Sequence, residues 1–277
     1  MKLEEIINDK WLNSKNLNQQ YIKNKPFPYI EIKDFIKVDL LKEVLSEFPD
    51  LAKEKKGVNK FKDQNQIKLA SEGSSLLSNS AVFLNSYLQS DLMLKWLNDL
   101  TGVKEPLISD PYLRGAGYHE LKKGGVLKMH VDFNKHTFLN LHRRLNLLIY
   151  LNEGWKEEYG GALELHDKAM ATPPKKILPL FNTAVIFSTT SSSYHGNPDV
   201  VSCPDNKSRK SLAYYYYSTE RSDKDIFDKH STLFFGDQKQ IPLQKIIKDF
   251  TPPILIAAAK KITTFKIHSI HLPISFI

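Results

Sequence analysis

In the segment K-M-H-V-D-F, His130 and Asp132 are separated by one residue; His195 follows in S-Y-H-G-N-P, and Arg209 and Ser211 in S-R-K-S-L-A-Y-Y-Y-Y. In a strand, residues two apart share a face. His130 and Asp132 therefore reach one ion from a single strand, while Val131 turns into packing. His195 follows the apolar run 184–187 and precedes a Gly196-Asn197-Pro198 turn, which places it on a rim as a third ligand. Two histidines and one carboxylate leave metal positions open, as a ferrous iron that binds a cosubstrate and dioxygen requires. Arg209 presents a planar fork that grips a carboxylate through two hydrogen bonds. Ser211 shares its strand face, so the pair is placed to hold the far end of a dicarboxylic 2-oxo acid.

These residues need a rigid β scaffold. From about residue 106 the sequence reads as strands at 112–121, 126–133, 145–152, 161–166, 177–181, 183–188 and 211–218, divided by Gly124-Gly125, Gly160-Gly161, Pro173-Pro174 and Gly196-Asn197-Pro198. Seven short strands without long helices between them predict a mainly β antiparallel sandwich or barrel with flanking helices, of which a double-sheet jelly roll (cupin-like) leaves an open mouth suited to a small metal site. Ahead of it, residues 1–20 read as helical, 29–32 as a short strand, a helix runs from Asp39 to about Phe48, and another is capped by Ser78 or Asn79 and extends to Gly102. The lysine-rich stretch 53–66 reads as a mobile loop. The expected organisation is a helical extension over 1–104, the β domain over 105–220 and a helical tail over 221–277, with helices at 242–250 and 254–266.

The combination H-V-D, a distant His and R-x-S resembles the iron(II)- and 2-oxoglutarate-dependent dioxygenases, and most of all their prolyl-4-hydroxylase-like branch. The segments Y-L-N-E-G-W (150–155) and G-G-A-L (160–163) resemble the Y-L-N-x-x-W…G-G-x-L stretch of that branch. The resemblance covers roughly residues 105–220. It implies a double-stranded β-helix and hydroxylation of a C–H bond. It also implies Fe(2+) as cofactor, 2-oxoglutarate and O2 as cosubstrates, ascorbate as reductant, and succinate and CO2 as products. It assigns Tyr150 to the cosubstrate's distal carboxylate and places Tyr118 on a strand lining the site.

Alternatives weigh less. A halogenase of the superfamily lacks the carboxylate that Asp132 supplies. The nucleic-acid demethylases carry a second arginine where Tyr215 stands. A zinc hydrolase has no need of R-x-S, and a non-catalytic metal- or sugar-binding jelly roll has no need of three iron-type ligands. The four tyrosines 214–217 read as packing, while His136, His142, Arg143 and Arg144 are read as facing substrate or solvent.

The 277 residues carry 41% hydrophobic and 25% charged side chains, enough for a real core. One cysteine, Cys203, excludes a disulfide framework and cysteine-rich zinc sites. With no signal-like N-terminus and no long apolar run, a cytoplasmic setting is expected. The net charge of +8 is spread thinly, which argues against a nucleic-acid footprint. Loops 53–66, 133–144, 167–176 and 219–236 are expected to shape the cleft, and the resemblance implies a substrate that is a protein side chain, an amino acid, a glycan or a small molecule.

Overall fold

Alternating apolar residues set the strands of this chain, which join in one twisted sheet. The computed structural model describes residues 2–236, apart from 169, 223, 224, 226 and 227. Short 3-10 turns open the chain, followed by α1 (Asn18–Lys23), β1 (Tyr29–Lys33), α2 (Val38–Ser46), β2 (Val58–Lys62) and β3 (Gln66–Ser71). Next come α3 (Asn79–Leu88) and α4 (Asp91–Thr101), and then β4 (Gly117–Leu121), β5 (Val126–Val131), β6 (His142–Tyr150), β7 (Leu163–His166) and β8 (Lys175–Ile177). The last strands are β9 (Thr183–Ser188), β10 (Tyr194–Asn197), β11 (Arg209–Ser218) and β12 (Leu233–Phe234).

The strand order is β1-β9-β6-β11-β4-β3-β5-β10-β7-β8, with β2 beside β3 and β12 beside β5. The sheet curls into a nearly closed antiparallel barrel, the double-stranded β-helix expected from the motifs. β3 is the corner. Its Gln66 and Ile67 pair with Leu127 and Val126 of β5, and its Leu69 and Ala70 pair with Glu120 and His119 of β4.

Each strand divides its residues between two faces. Leu145, Leu147 and Ile149 of β6, with Ala184 and Ile186 of β9, pack under Leu84, Leu88, Trp96, Leu97 and Leu100 of the helices. The alternate residues Tyr150, Val185 and Phe187 join Leu163 and Leu165 in a second cluster inside the barrel.

Several sequence expectations change here. Residues 1–20 hold 3-10 turns rather than one helix. The expected helix from Ser78 to Gly102 is two, because Ser90 caps a second start by accepting from the Met93 N–H. The 53–66 stretch leads into the β2–β3 hairpin, where Asp63 Oδ1 accepts from the Asn65 and Gln66 N–H groups at the turn. The first 104 residues thus add three strands to their helices, and β10 is a strand where a rim was expected. The helices expected at 242–250 and 254–266 lie outside the described residues.

Candidate metal centre

β5 and β10 run antiparallel with His130 opposite His195, their rings 4.4 Å apart. Asp132 follows just past the end of β5. His130 Nε2 lies 3.7 Å from Asp132 Oδ1, and His195 Nε2 lies 3.3 Å from Asp132 Oδ2. One ligand atom from each residue falls within 4.8 Å of the others. Both rings are oriented in the same way. His130 Nδ1–H donates to Lys128 O at 2.8 Å and His195 Nδ1–H to Ser193 O at 2.9 Å, so each Nε2 lone pair faces the other ligands.

Asp132 is held from behind. Arg143 Nη2 lies 2.9 Å from its Oδ2, and Asn146 Nδ2 donates to the same oxygen at 2.7 Å. Asn146 Oδ1 in turn accepts from Arg143 Nε and Nη2 at 3.0 and 2.7 Å. The Arg143 guanidinium is buried 4.4 Å from the Phe133 ring centre and 3.4 Å from that of Tyr215. Burial alone would raise the Asp132 pKa, but Arg143 and the two imidazoles hold the carboxyl well below the usual range. Burial and the neighbouring His195 push the His130 imidazole down, toward the neutral form a metal ligand needs. A hard carboxylate and two oriented imidazoles, with no thiolate, match the donor set of a ferrous iron with open positions.

The cavity that these ligands line is also lined by Arg209 and Ser211. Arg209 is buried, its Nε–H donates to Gly161 O at 2.6 Å, and Nη2 lies 3.4 Å from the Tyr150 hydroxyl. A Cβ on Gly161 would meet Arg209 Cδ at 2.9 Å, and its φ of +68° lies in the left-handed region, so glycine is required for this approach. Ser211 sits between Tyr150 on β6 and His119 on β4.

Tyr118 is a correction. Its side chain points into the helix-side core, with its ring 4.4 Å from Phe48 and its hydroxyl 3.1 Å from Ser78 Oγ. Strand alternation hands its place in the cavity to His119. His136, Arg143 and Arg144 are not free for substrate or solvent. His136 is buried, donating from Nε2 to Asp110 Oδ1 and accepting at Nδ1 from the Phe138 and Leu139 N–H groups, and Arg144 is buried against Glu105 and Ser218. Of the four tyrosines, Tyr215 faces the cavity. Sequence reasoning missed Lys68, Asn146 and Asn197, all cavity-lining. The signal for Asn197 was its two-residue spacing from His195, and for Asn146 its parity with Tyr150; Lys68 arrives from a distant hairpin and had none.

Residues 116–217 match the family model described as the 2OG-Fe(II) oxygenase superfamily. These residues, which hold most of the barrel strands, are similar to that superfamily. A 79-residue stretch is 32% identical to a prolyl 3-hydroxylase, OGFOD1, of Mus musculus; it covers 27% of this chain and only 14% of that relative. Among the solved structures that share the fold are two prolyl hydroxylases. One is a prolyl hydroxylase of Trichoplax adhaerens in complex with a peptide fragment of a hypoxia inducible factor, at 16% identity over 76% of this chain and 91% of that one, TM-score 0.56. The other is a prolyl-4-hydroxylase of Pseudomonas putida, at 16% identity over 74% and 98%, TM-score 0.51. The matched superfamily implies Fe(2+), 2-oxoglutarate and O2, and the His130–Asp132–His195 group fits the iron. Among the described residues no helix is long and apolar enough to cross a membrane.

Proposed function

We propose that this protein is an iron(II)- and 2-oxoglutarate-dependent dioxygenase that hydroxylates a C–H bond and releases succinate and CO2. The observation that carries the reading is one cavity lined both by three convergent metal-ligand side chains and by a buried Arg209–Ser211 pair. When bound, iron and 2-oxoglutarate supply dioxygen activation and the two electrons that balance insertion of one oxygen atom.

The chain's own residues position and exclude water. His130, Asp132 and His195 serve as the iron ligands, oriented by Lys128 O, Ser193 O, Arg143 and Asn146. Arg209 and Ser211 hold the distal carboxylate of the cosubstrate, and Tyr150 fixes the arginine from behind. Leu127, Leu148 and Leu163 supply an apolar part of the cavity wall that limits water. No protein general base is required. The substrate is a protein side chain, a free amino acid or a small molecule, with prolyl chemistry favoured by the relatives, and ascorbate serves as reductant. A reducing, cytoplasmic compartment suits a ferrous site and a single cysteine.

Anaerobic titration of the iron(II) protein with 2-oxoglutarate tests this reading. A visible charge-transfer band that saturates with 2-oxoglutarate and is lost in Asp132→Ala is expected. Silence from the unaltered protein would count against it, and would favour a non-catalytic jelly-roll module.

A further inference from the structure

Lys68 occupies the corner of the barrel. Its neighbours in β3 divide their pairing, Gln66 and Ile67 with β5 and Leu69 and Ala70 with β4. Its side chain lines the same cavity as the three candidate iron ligands and Arg209. Phe61, its cross-strand partner in the β2–β3 hairpin, lies under the ammonium, with the ring centre 5.1 Å from Nζ. No hydrogen bond or ion pair joins Nζ to a described residue. Burial pushes the ammonium down to about 8, and the charge it senses most is Asp132, ahead of Arg143 and Arg209. A second unpaired donor faces this cavity. Asn197 is 3% exposed, and its Nδ2 has no hydrogen-bond partner among the described residues. Asn197 and Gln66 flank the same residue of β5, Leu127, from opposite sides.

A half-buried cation and a buried amide N–H left open are costly unless a ligand completes them. Under the dioxygenase reading, the cosubstrate's distal carboxylate goes to Arg209 and Ser211, and its 2-oxo acid end to the metal. Neither needs Lys68. We propose that Lys68 and Asn197 bind a carboxylate of the primary substrate beside the metal, so that the enzyme acts on an anionic, carboxylate-bearing molecule or side chain. This rests on the dioxygenase reading of the cavity and adds the substrate's charge to it. The hairpin is then a specificity element, with Phe61 setting the lysine's position.

The test uses full-length protein loaded with manganese(II), which replaces the iron without turnover, and saturated with 2-oxoglutarate. Trifluoroacetate is the probe, and its fluorine relaxation reports a carboxylate held close to the metal. The unaltered protein is expected to enhance that relaxation saturably. Lys68→Met is expected to abolish the enhancement while changing the 2-oxoglutarate Kd by less than about twofold. Asn197→Ala, which keeps the lysine, is expected to weaken probe binding roughly tenfold, the loss of one charge-assisted hydrogen bond. No enhancement, or enhancement that survives in Lys68→Met, overturns the proposal. A rise of about tenfold or more in the 2-oxoglutarate Kd of Lys68→Met also overturns it, because the lysine then serves the cosubstrate. Failure of the unaltered protein to bind 2-oxoglutarate overturns the dioxygenase reading together with it.

Discussion

Asp132 is a carboxylate with one oxygen already engaged by Arg143 and Asn146, so the behaviour of the metal site should depend on residues that never touch the ion. Arg143→Met leaves Asp132 buried without its cation. Metal affinity is expected to fall about 10–100-fold, and stability by about 3–5 kcal/mol; a metal titration alongside a urea melt checks both. Arg209→Lys keeps the charge but loses the fork, and is expected to raise the 2-oxoglutarate Kd about tenfold or more without changing metal affinity. A third consequence concerns pH. Burial pushes the His119 imidazole down to about 3, with Lys68 contributing. Below about 6.5 the unfolded chain takes a proton on this residue that the folded chain refuses until about pH 3. Stability on that account is complete above 6.5 and is lost as pH falls through the window, at most about 1.4 kcal/mol per pH unit. Urea midpoints from pH 7 to 4.5 should therefore fall less steeply in His119→Gln than in the unaltered protein; parallel slopes would contradict the assignment.

At the scale of elements, the two histidine ligands meet because β10 lies tightly on β5. A Cβ on Gly196 would stand 2.8 Å from the carbonyl oxygens of Leu127 and Lys128, backbone atoms that cannot yield cheaply. Gly196→Ala is expected to separate the strands, lower metal affinity at least tenfold and destabilise the fold by about 1–3 kcal/mol. Isothermal titration with zinc, paired with a thermal melt, checks this. The ligands were legible in the sequence because period-two spacing survives any error in strand ends: His130 and Asp132 share a face wherever β5 begins. Tyr118 was misplaced for the complementary reason, since a slip of one residue changes the face. The β2–β3 hairpin was hidden because its lysines and polar residues mimic a loop, and only its pairing with β4 and β5 shows that it completes the barrel.

On the scale of the whole molecule, the catalytic strands do not stand alone. Ile6, Ile7, Tyr21, Leu41, Leu84 and Trp96 from the first 104 residues share one core with β6, β9 and β11, and β1 and β3 complete the sheet. A fragment of residues 105–220 is therefore expected to lack a cooperative thermal transition by circular dichroism, while the full chain shows one. The resemblance to a known family rests on about a dozen residues and points to the proposed reaction class. Charge, loops and length did not identify the substrate; under the proposal above that information lies in side chains such as Lys68 and Asn197, which line one cavity only after folding. The central claim concerns turnover. Full-length protein incubated with iron(II), ascorbate and labelled 2-oxoglutarate under air should release succinate, and His130→Ala and Asp132→Ala should release none above background. Absence of succinate from the unaltered protein, or equal release from the two variants, would contradict the account.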